Sequence, residues 1–215
     1  MKRTTFGKQQ KKEMQKIYKS EVVLKHHDEL SNIIDHAVNT TQHHDIFGDS
    51  YTWSYGKYNI FGFTSATKVF YDLFCELNAI VYDYNGTNEP LWMQSWLNYH
   101  EKDGLLDWHG HQWPIHGYIS IRPHNTKTIF RNPEYEVINE VGNVYIGPGF
   151  REHKVITTNN DQFNTNRITI GFDIMKNVPP HALTGNIGPV SYTHLRAHET
   201  REDRGGAVGG VKKGA

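Results

Sequence analysis

Cysteine is almost absent. The 215 residues contain one, Cys75, so no internal disulfide can form and a disulfide-stapled secreted scaffold is excluded. A zinc site built on paired cysteines goes with it. No apolar run approaches the roughly 20 residues that a membrane-spanning helix needs. The N-terminal MKRTTFGKQQKKEMQKIYKS is basic but has no apolar segment, so it does not read as a secretory signal. Net charge is lacking too. The 23 Lys+Arg balance 23 Asp+Glu to give +0, which argues against a dedicated nucleic-acid or membrane-surface binder. There is no glycine-rich phosphate loop and no long internal repeat. These absences leave a globular protein of a reducing compartment, with the cytoplasm as its expected location and no membrane partner.

Aromatic residues, by contrast, reach 13 %, and the chain carries 14 histidines. The length suits one domain with a real core. Residues 8–19 are polar and read as a frayed helix, EVVL (21–24) as a short strand, and 28–39 as an amphipathic helix through Leu30, Ile33, Ile34, Ala37 and Val38. HHDIFGDSYTWSYG (43–56) is loop-like. Ser65 can cap the strongest helix, whose apolar stripe runs through Val69, Phe70, Leu73, Phe74, Leu77, Ile80 and Val81 and stops at Asn85-Gly86. Cys75 falls inside that pattern and is expected to be a buried, inert thiol.

After Pro90 the period changes. Segments 92–98, 117–121, 127–130, 143–146, 153–157 and 167–173 are short, β-branched or aromatic, and separated by Gly, Pro, Asn and Asp. Short strands at this spacing predict a sandwich or barrel such as a jelly roll. The fold class is therefore mainly β with N-terminal helices. Residues 1–89 form a supporting helical region and 90–178 a β core, both in one domain. Residues 190–215, VSYTHLRAHETREDRGGAVGGVKKGA, show neither period. VSYTHLRAHET resembles the read-through translation of a transposase-type sequencing-library adapter, so this stretch is expected to be a disordered, non-native tail. His194 and His198 are set aside with it.

WHGHQWPIHGYISI (108–121) concentrates three histidines, which a metal site, a satisfied core or chance could each explain. In an extended segment, residues i and i+2 face the same side, so His109 and His111 can converge on one ion. A third ligand must come from another strand. His153 in GPGFREHKVITT opens a strand just after a tight turn, and Arg167 in NRITIGFDI opens the last strand. A facial triad of this kind leaves coordination positions open. His116 reads as a core-rim or channel residue rather than a ligand, and the pairs His26-His27 and His43-His44 as solvated. Asn98, Trp96 and Trp113 are candidates for lining a pocket.

The order WLNYHEKDG…HGHQWPIHGYISIRP…VYIGPGFREHKV…NRITIGF resembles the catalytic core of the iron(II)- and 2-oxoglutarate-dependent oxygenases, and within them a marine phage and bacterial subgroup with a His-x-His first motif. The resemblance implies a double-stranded β-helix, cupin-like, with His109, His111 and His153 as the metal ligands. Its cofactors would be iron(II), 2-oxoglutarate as cosubstrate, and dioxygen. 2-Oxoglutarate would chelate the iron through its 1-carboxylate and 2-oxo groups, while Arg167 grips the distal carboxylate as a bidentate, charge-assisted pair. Thr169, on the same side, and Tyr118 would be further donors. Decarboxylation to succinate, with hydroxylation of the substrate, is the implied reaction.

The family's usual carboxylate is here His111. Zinc and copper also accept imidazole sets, and some cupin dioxygenases that do without 2-oxoglutarate carry three histidines. Asp107 is the alternative carboxylate, ranked behind His111. A non-enzymatic jelly-roll structural or carbohydrate-binding protein of a phage particle is the third reading. The substrate is left open among protein side chains, small metabolites and nucleobases, nucleic acid as such is not an expected partner, and the oligomeric state is not readable.

Overall fold

The first apolar run with helical spacing begins earlier than its β-branched opening advertises. In the computed structural model, which describes residues 14–41, 60–61, 67–100, 106–158, 165–177 and 193–195, EVVL is not a strand but the first turn of α1, Glu21–Thr41. Ser20 decides this: its Oγ accepts from the Val23 N–H at 3.0 Å, an N-cap that outweighs two valines. A kink at His26 (φ −121°, ψ 28°) breaks the helix after that turn. Just before it, β1 (Lys16–Lys19) stands where a frayed helix was expected, and residues 1–13 lie outside the described residues.

The second helix, α2 (Lys68–Asn85), buries the predicted stripe Val69, Phe70, Leu73, Leu77, Ile80 and Val81. Phe74 is only partly buried against the same core. The helix stops where Asn85-Gly86 predicts. Gly86 takes φ 70°, a left-handed conformation open to glycine, and its N–H caps the Tyr82 carbonyl. Cys75 does not match its expectation: it is exposed, because it falls outside the buried stripe of α2. Ser65 and the segment 43–56 lie outside the described residues, and Thr67 occupies the N-cap position.

The remaining strands are β2 (Leu91–His100), β3 (Ile115–Arg122), β4 (Thr126–Phe130), β5 (Tyr135–Ile138), β6 (Asn143–Pro148), β7 (His153–Thr157), β8 (Arg167–Met175) and β9 (Thr193–Leu195). They form a six-stranded sheet, β1-β6-β3-β8-β2-β9, and a three-stranded sheet, β5-β4-β7, with all pairings antiparallel. After β2, the chain crosses to the small sheet at His109, which bridges to His153 of β7. It returns for β3, crosses for β4 and β5, returns for β6, crosses for β7 and returns for β8. The strand β9 lies in the expected disordered tail. Thr193–Leu195 pair with Leu91, Trp92 and Met93, because the outer edge of β2 presents unpaired N–H and C=O groups that an extended segment can satisfy.

The large sheet buries both faces, and β8 shows how. Its nine residues are all buried. Ile168, Ile170, Phe172 and Ile174 alternate onto the outer face, in one apolar cluster with Leu30 and Ile34 of α1 and Phe70, Leu73 and Leu77 of α2. Arg167, Thr169, Gly171 and Asp173 alternate onto the inner face, toward the small sheet. Tyr118, Phe130, Val137 and Tyr145 fill part of the space between the sheets, with the Phe130 and Tyr145 rings stacked at 4.5 Å. The helical layer is pinned as well as packed. Arg122 of β3 grips Asp35 of α1 with both terminal nitrogens (2.8 and 3.1 Å), and the Tyr99 hydroxyl donates to the same carboxylate at 2.9 Å. Among the described residues, no helix is long and apolar enough to cross a membrane.

Candidate active site

Backbone pairing brings the two histidine motifs together. The His109 N–H donates to the His153 carbonyl (3.0 Å), the His153 N–H donates back (2.8 Å), and the His111 N–H donates to the Gly149 carbonyl (2.9 Å). The turn before β7 is therefore stitched along the HGH segment. Gly149 is needed there, since a Cβ would stand 2.0 Å from the Trp113 carbonyl oxygen.

On this frame His109, His111 and His153 each offer a ligand nitrogen within 4.8 Å of the other two. A shared ion at about 2.0–2.1 Å from each nitrogen would draw them to about 3–3.5 Å. The ring centroids are 5.5 Å (His109–His111), 4.3 Å (His109–His153) and 5.5 Å (His111–His153) apart. In each ring Nδ1 is engaged: on the Asp107 carbonyl for His109 (2.7 Å), the Arg151 carbonyl for His153 (3.1 Å) and the Asp173 carboxylate for His111 (3.1 Å). An acceptor at Nδ1 fixes the tautomer and the ring orientation, leaving Nε2 as the donor to a metal. Asp107 is not in this group; its carboxylate accepts from the Trp108 N–H at 2.7 Å.

Asp173 was not foreseen. Fully buried on β8, it accepts from His111 and also from His116 Nδ1 (3.1 Å), and the three form a second cluster of possible ligands. Ring geometry argues against a shared ion there. The His111 and His116 rings are parallel within 10° and 3.7 Å apart, so their in-plane lone pairs run side by side and cannot meet at one point. A carboxylate, with two oxygens, satisfies both. His116 is buried, 4 % exposed, with its Nδ1 held by Asp173.

Burial favours the uncharged, ligating form of His109 and His153. Burial, reinforced by the neighbouring His111, pushes His116 down to about 4. Burial and the adjacent His116 and His109 push His153 down to about 2, and burial also lowers His109. Neutral imidazoles have free lone pairs at neutral pH. Burial pushes the Asp173 carboxyl up, but the hydrogen bonds from His111 and His116 outweigh it and hold it well below the usual carboxylate range.

Arg167 shares the inner face of β8 with Asp173, six residues and roughly 20 Å away at normal strand rise. It is 4 % exposed, and burial pulls it down to about 10. Its guanidinium donates to His100 Nδ1, its cross-strand partner on β2, and enters no ion pair among the described residues. His100 was missed in the sequence; its position in register opposite Arg167 becomes visible only once β2 and β8 are paired. Thr169 stands beside Arg167 on the inner face, its hydroxyl accepting from Asn98 Nδ2 at 3.3 Å. Tyr118 is inward-facing, but its hydroxyl is committed to Asn139 Oδ1 at 3.0 Å. Between the two ends lies Trp96, stacked on His111 at 5.5 Å. Its indole rests on Gly171, where a Cβ would come within 2.5 Å of the ring. Trp113 is half-buried.

No family model and no curated protein matches the chain. Solved structures do. The non-heme alpha-ketoglutarate-dependent carbocyclase SnoK from nogalamycin biosynthesis is 10 % identical with a TM-score of 0.57, over 86 % of this chain and 92 % of that one. The non-heme alpha-ketoglutarate-dependent epimerase SnoN gives 9 % and 0.50, over 76 % and 79 %. The non-heme monooxygenase ThoJ in its apo form gives 9 % and 0.51, over 86 % and 82 %. At these identities the likeness is one of fold.

Proposed function

We propose that this protein is an iron(II)- and 2-oxoglutarate-dependent oxygenase on a double-stranded β-helix, hydroxylating a substrate that is a protein side chain or a small molecule. The alternating passage of the chain between two facing antiparallel sheets is the winding expected of a jelly roll. The observation that carries the reading is a polarity along one inner face. One end gathers three imidazoles, and the other holds a buried arginine with no acidic partner among the described residues.

The residues fit the groups they would hold. His109, His111 and His153 supply a nitrogen donor set suited to a divalent transition ion. Arg167 is a buried cation that no carboxylate neutralises among the described residues, which suits the distal carboxylate of a dicarboxylate cosubstrate. Iron bound with 2-oxoglutarate supplies dioxygen activation coupled to decarboxylation of the cosubstrate. The chain does the rest: Arg167 binds and orients the carboxylate, Thr169 lines its path, and Trp96 excludes water between the two ends.

A three-histidine dioxygenase acting without 2-oxoglutarate is the second reading, favoured by the absence of a carboxylate from the ligand set. Anaerobic titration with iron(II) and then 2-oxoglutarate separates the two. A weak visible charge-transfer band in the wild type that fades in Arg167→Ala supports the 2-oxoglutarate reading. Iron binding with no band on adding 2-oxoglutarate supports the other.

A further inference from the structure

A divalent ion with three neutral imidazoles carries +2, whereas an ion with two imidazoles and a carboxylate carries +1. The structure holds the missing charge close by. Asp173 is a fully buried carboxylate, and its nearest contact with the centre is His111 Nδ1 at 3.1 Å. The same carboxylate holds His116, whose ring lies flat on that of His111 at 3.7 Å. The His111 imidazole is therefore fixed on two sides, by a hydrogen bond in its plane and a parallel ring on its face. Counted together, the ion, three imidazoles and Asp173 carry +1.

We propose that Asp173 is a positioning residue that serves as the carboxylate of this centre, displaced one step outward: through His111 it supplies the negative charge that the three-histidine set lacks, and with His116 it locks the His111 ring toward the ion. This rests on the metal reading above. A carboxylate accepting from a ligating imidazole makes that imidazole a stronger donor, and loss of such a partner weakens metal affinity by about 10- to 100-fold.

The arrangement has a signature that packing alone does not give. Replacing His111 by Asp would set two carboxylates against each other at the present hydrogen-bond distance, so in that background Asp173 becomes harmful. The experiment is cobalt(II) binding to the full chain, read by its visible spectrum and by competition with a chelating dye, in wild type, Asp173→Asn, His111→Asp and the double variant. Asp173→Asn is expected to weaken binding about 10- to 100-fold and to shift the cobalt bands. In the His111→Asp background the same change is expected to strengthen binding. Equal affinity and an unchanged spectrum in Asp173→Asn, or weakening of similar size in both backgrounds, overturns the proposal while leaving the metal site standing. No cobalt binding in the wild type overturns the metal reading and this proposal with it.

Discussion

The two faces of β8 are one sequence read twice. Ile168, Ile170, Phe172 and Ile174 point outward and meet α1 and α2; Arg167, Thr169, Gly171 and Asp173 point inward and meet the histidines, Trp96 and Asn98. The outer set can be exchanged among apolar residues of similar volume. Each inner residue has a separate chemical reason: a cation, a hydroxyl, an absent side chain and a carboxylate. Such a strand divides its labour residue by residue, and stability on one face underwrites placement on the other.

Breaking the outer face should cost fold and spare chemistry. Phe172→Ala empties a fully buried ring site and is expected to lower unfolding free energy by about 3–5 kcal/mol, with metal affinity of the folded fraction unchanged. Urea denaturation alongside a metal titration checks both halves. Breaking the inner face should do the reverse. Arg167→Met removes a buried cation without an acidic partner among the described residues, so the ligand-free protein should melt at a higher temperature. Its 2-oxoglutarate affinity should fall by about 2–5 kcal/mol. A variant that melts lower and binds 2-oxoglutarate normally would refute the assigned role of Arg167. Gly171→Ala tests the boundary between the faces. Its methyl collides with the Trp96 ring, and a cost of about 1–3 kcal/mol with a changed Trp96 emission is expected in thermal melts followed by fluorescence.

The last effect is in pH. His116 has a folded value of about 4 against an ordinary 6.5, so below pH 6.5 the unfolded chain takes up a proton that the folded chain refuses. The metal-free protein should therefore lose stability as pH falls from about 6.5 to about 4, by at most about 1.4 kcal/mol per unit from this group, and gain none above. Urea midpoints at pH 7, 6 and 5 measure the slope. An identical slope in His116→Gln would assign it elsewhere.

Period and punctuation made much of this legible. The strand read at 153–157 is β7, Arg167 opens β8, and the helix stops at Asn85-Gly86. These features are local: alternation, a turn, a glycine. Where two local signals competed, the weaker one misled. The β-branched run of EVVL reads as strand until Ser20 is recognised as a cap. The strand YEVI (Tyr135–Ile138) is short and sits directly after a proline turn, and it escaped notice. Asp173 shows a different limit. Counting in twos from Arg167 puts it on the inward face, which is a readable signal. Its partners lie 62 and 57 residues away, and no pattern within the strand says which imidazoles will meet it.

Trp96 carries a practical consequence of its position. Its indole is 5 % exposed and stacked 5.5 Å from the His111 ring, so a transition ion held by that ring sits within quenching range of a fluorophore native to the chain. Occupancy of the centre can therefore be followed as light emission without a label, a dye or turnover.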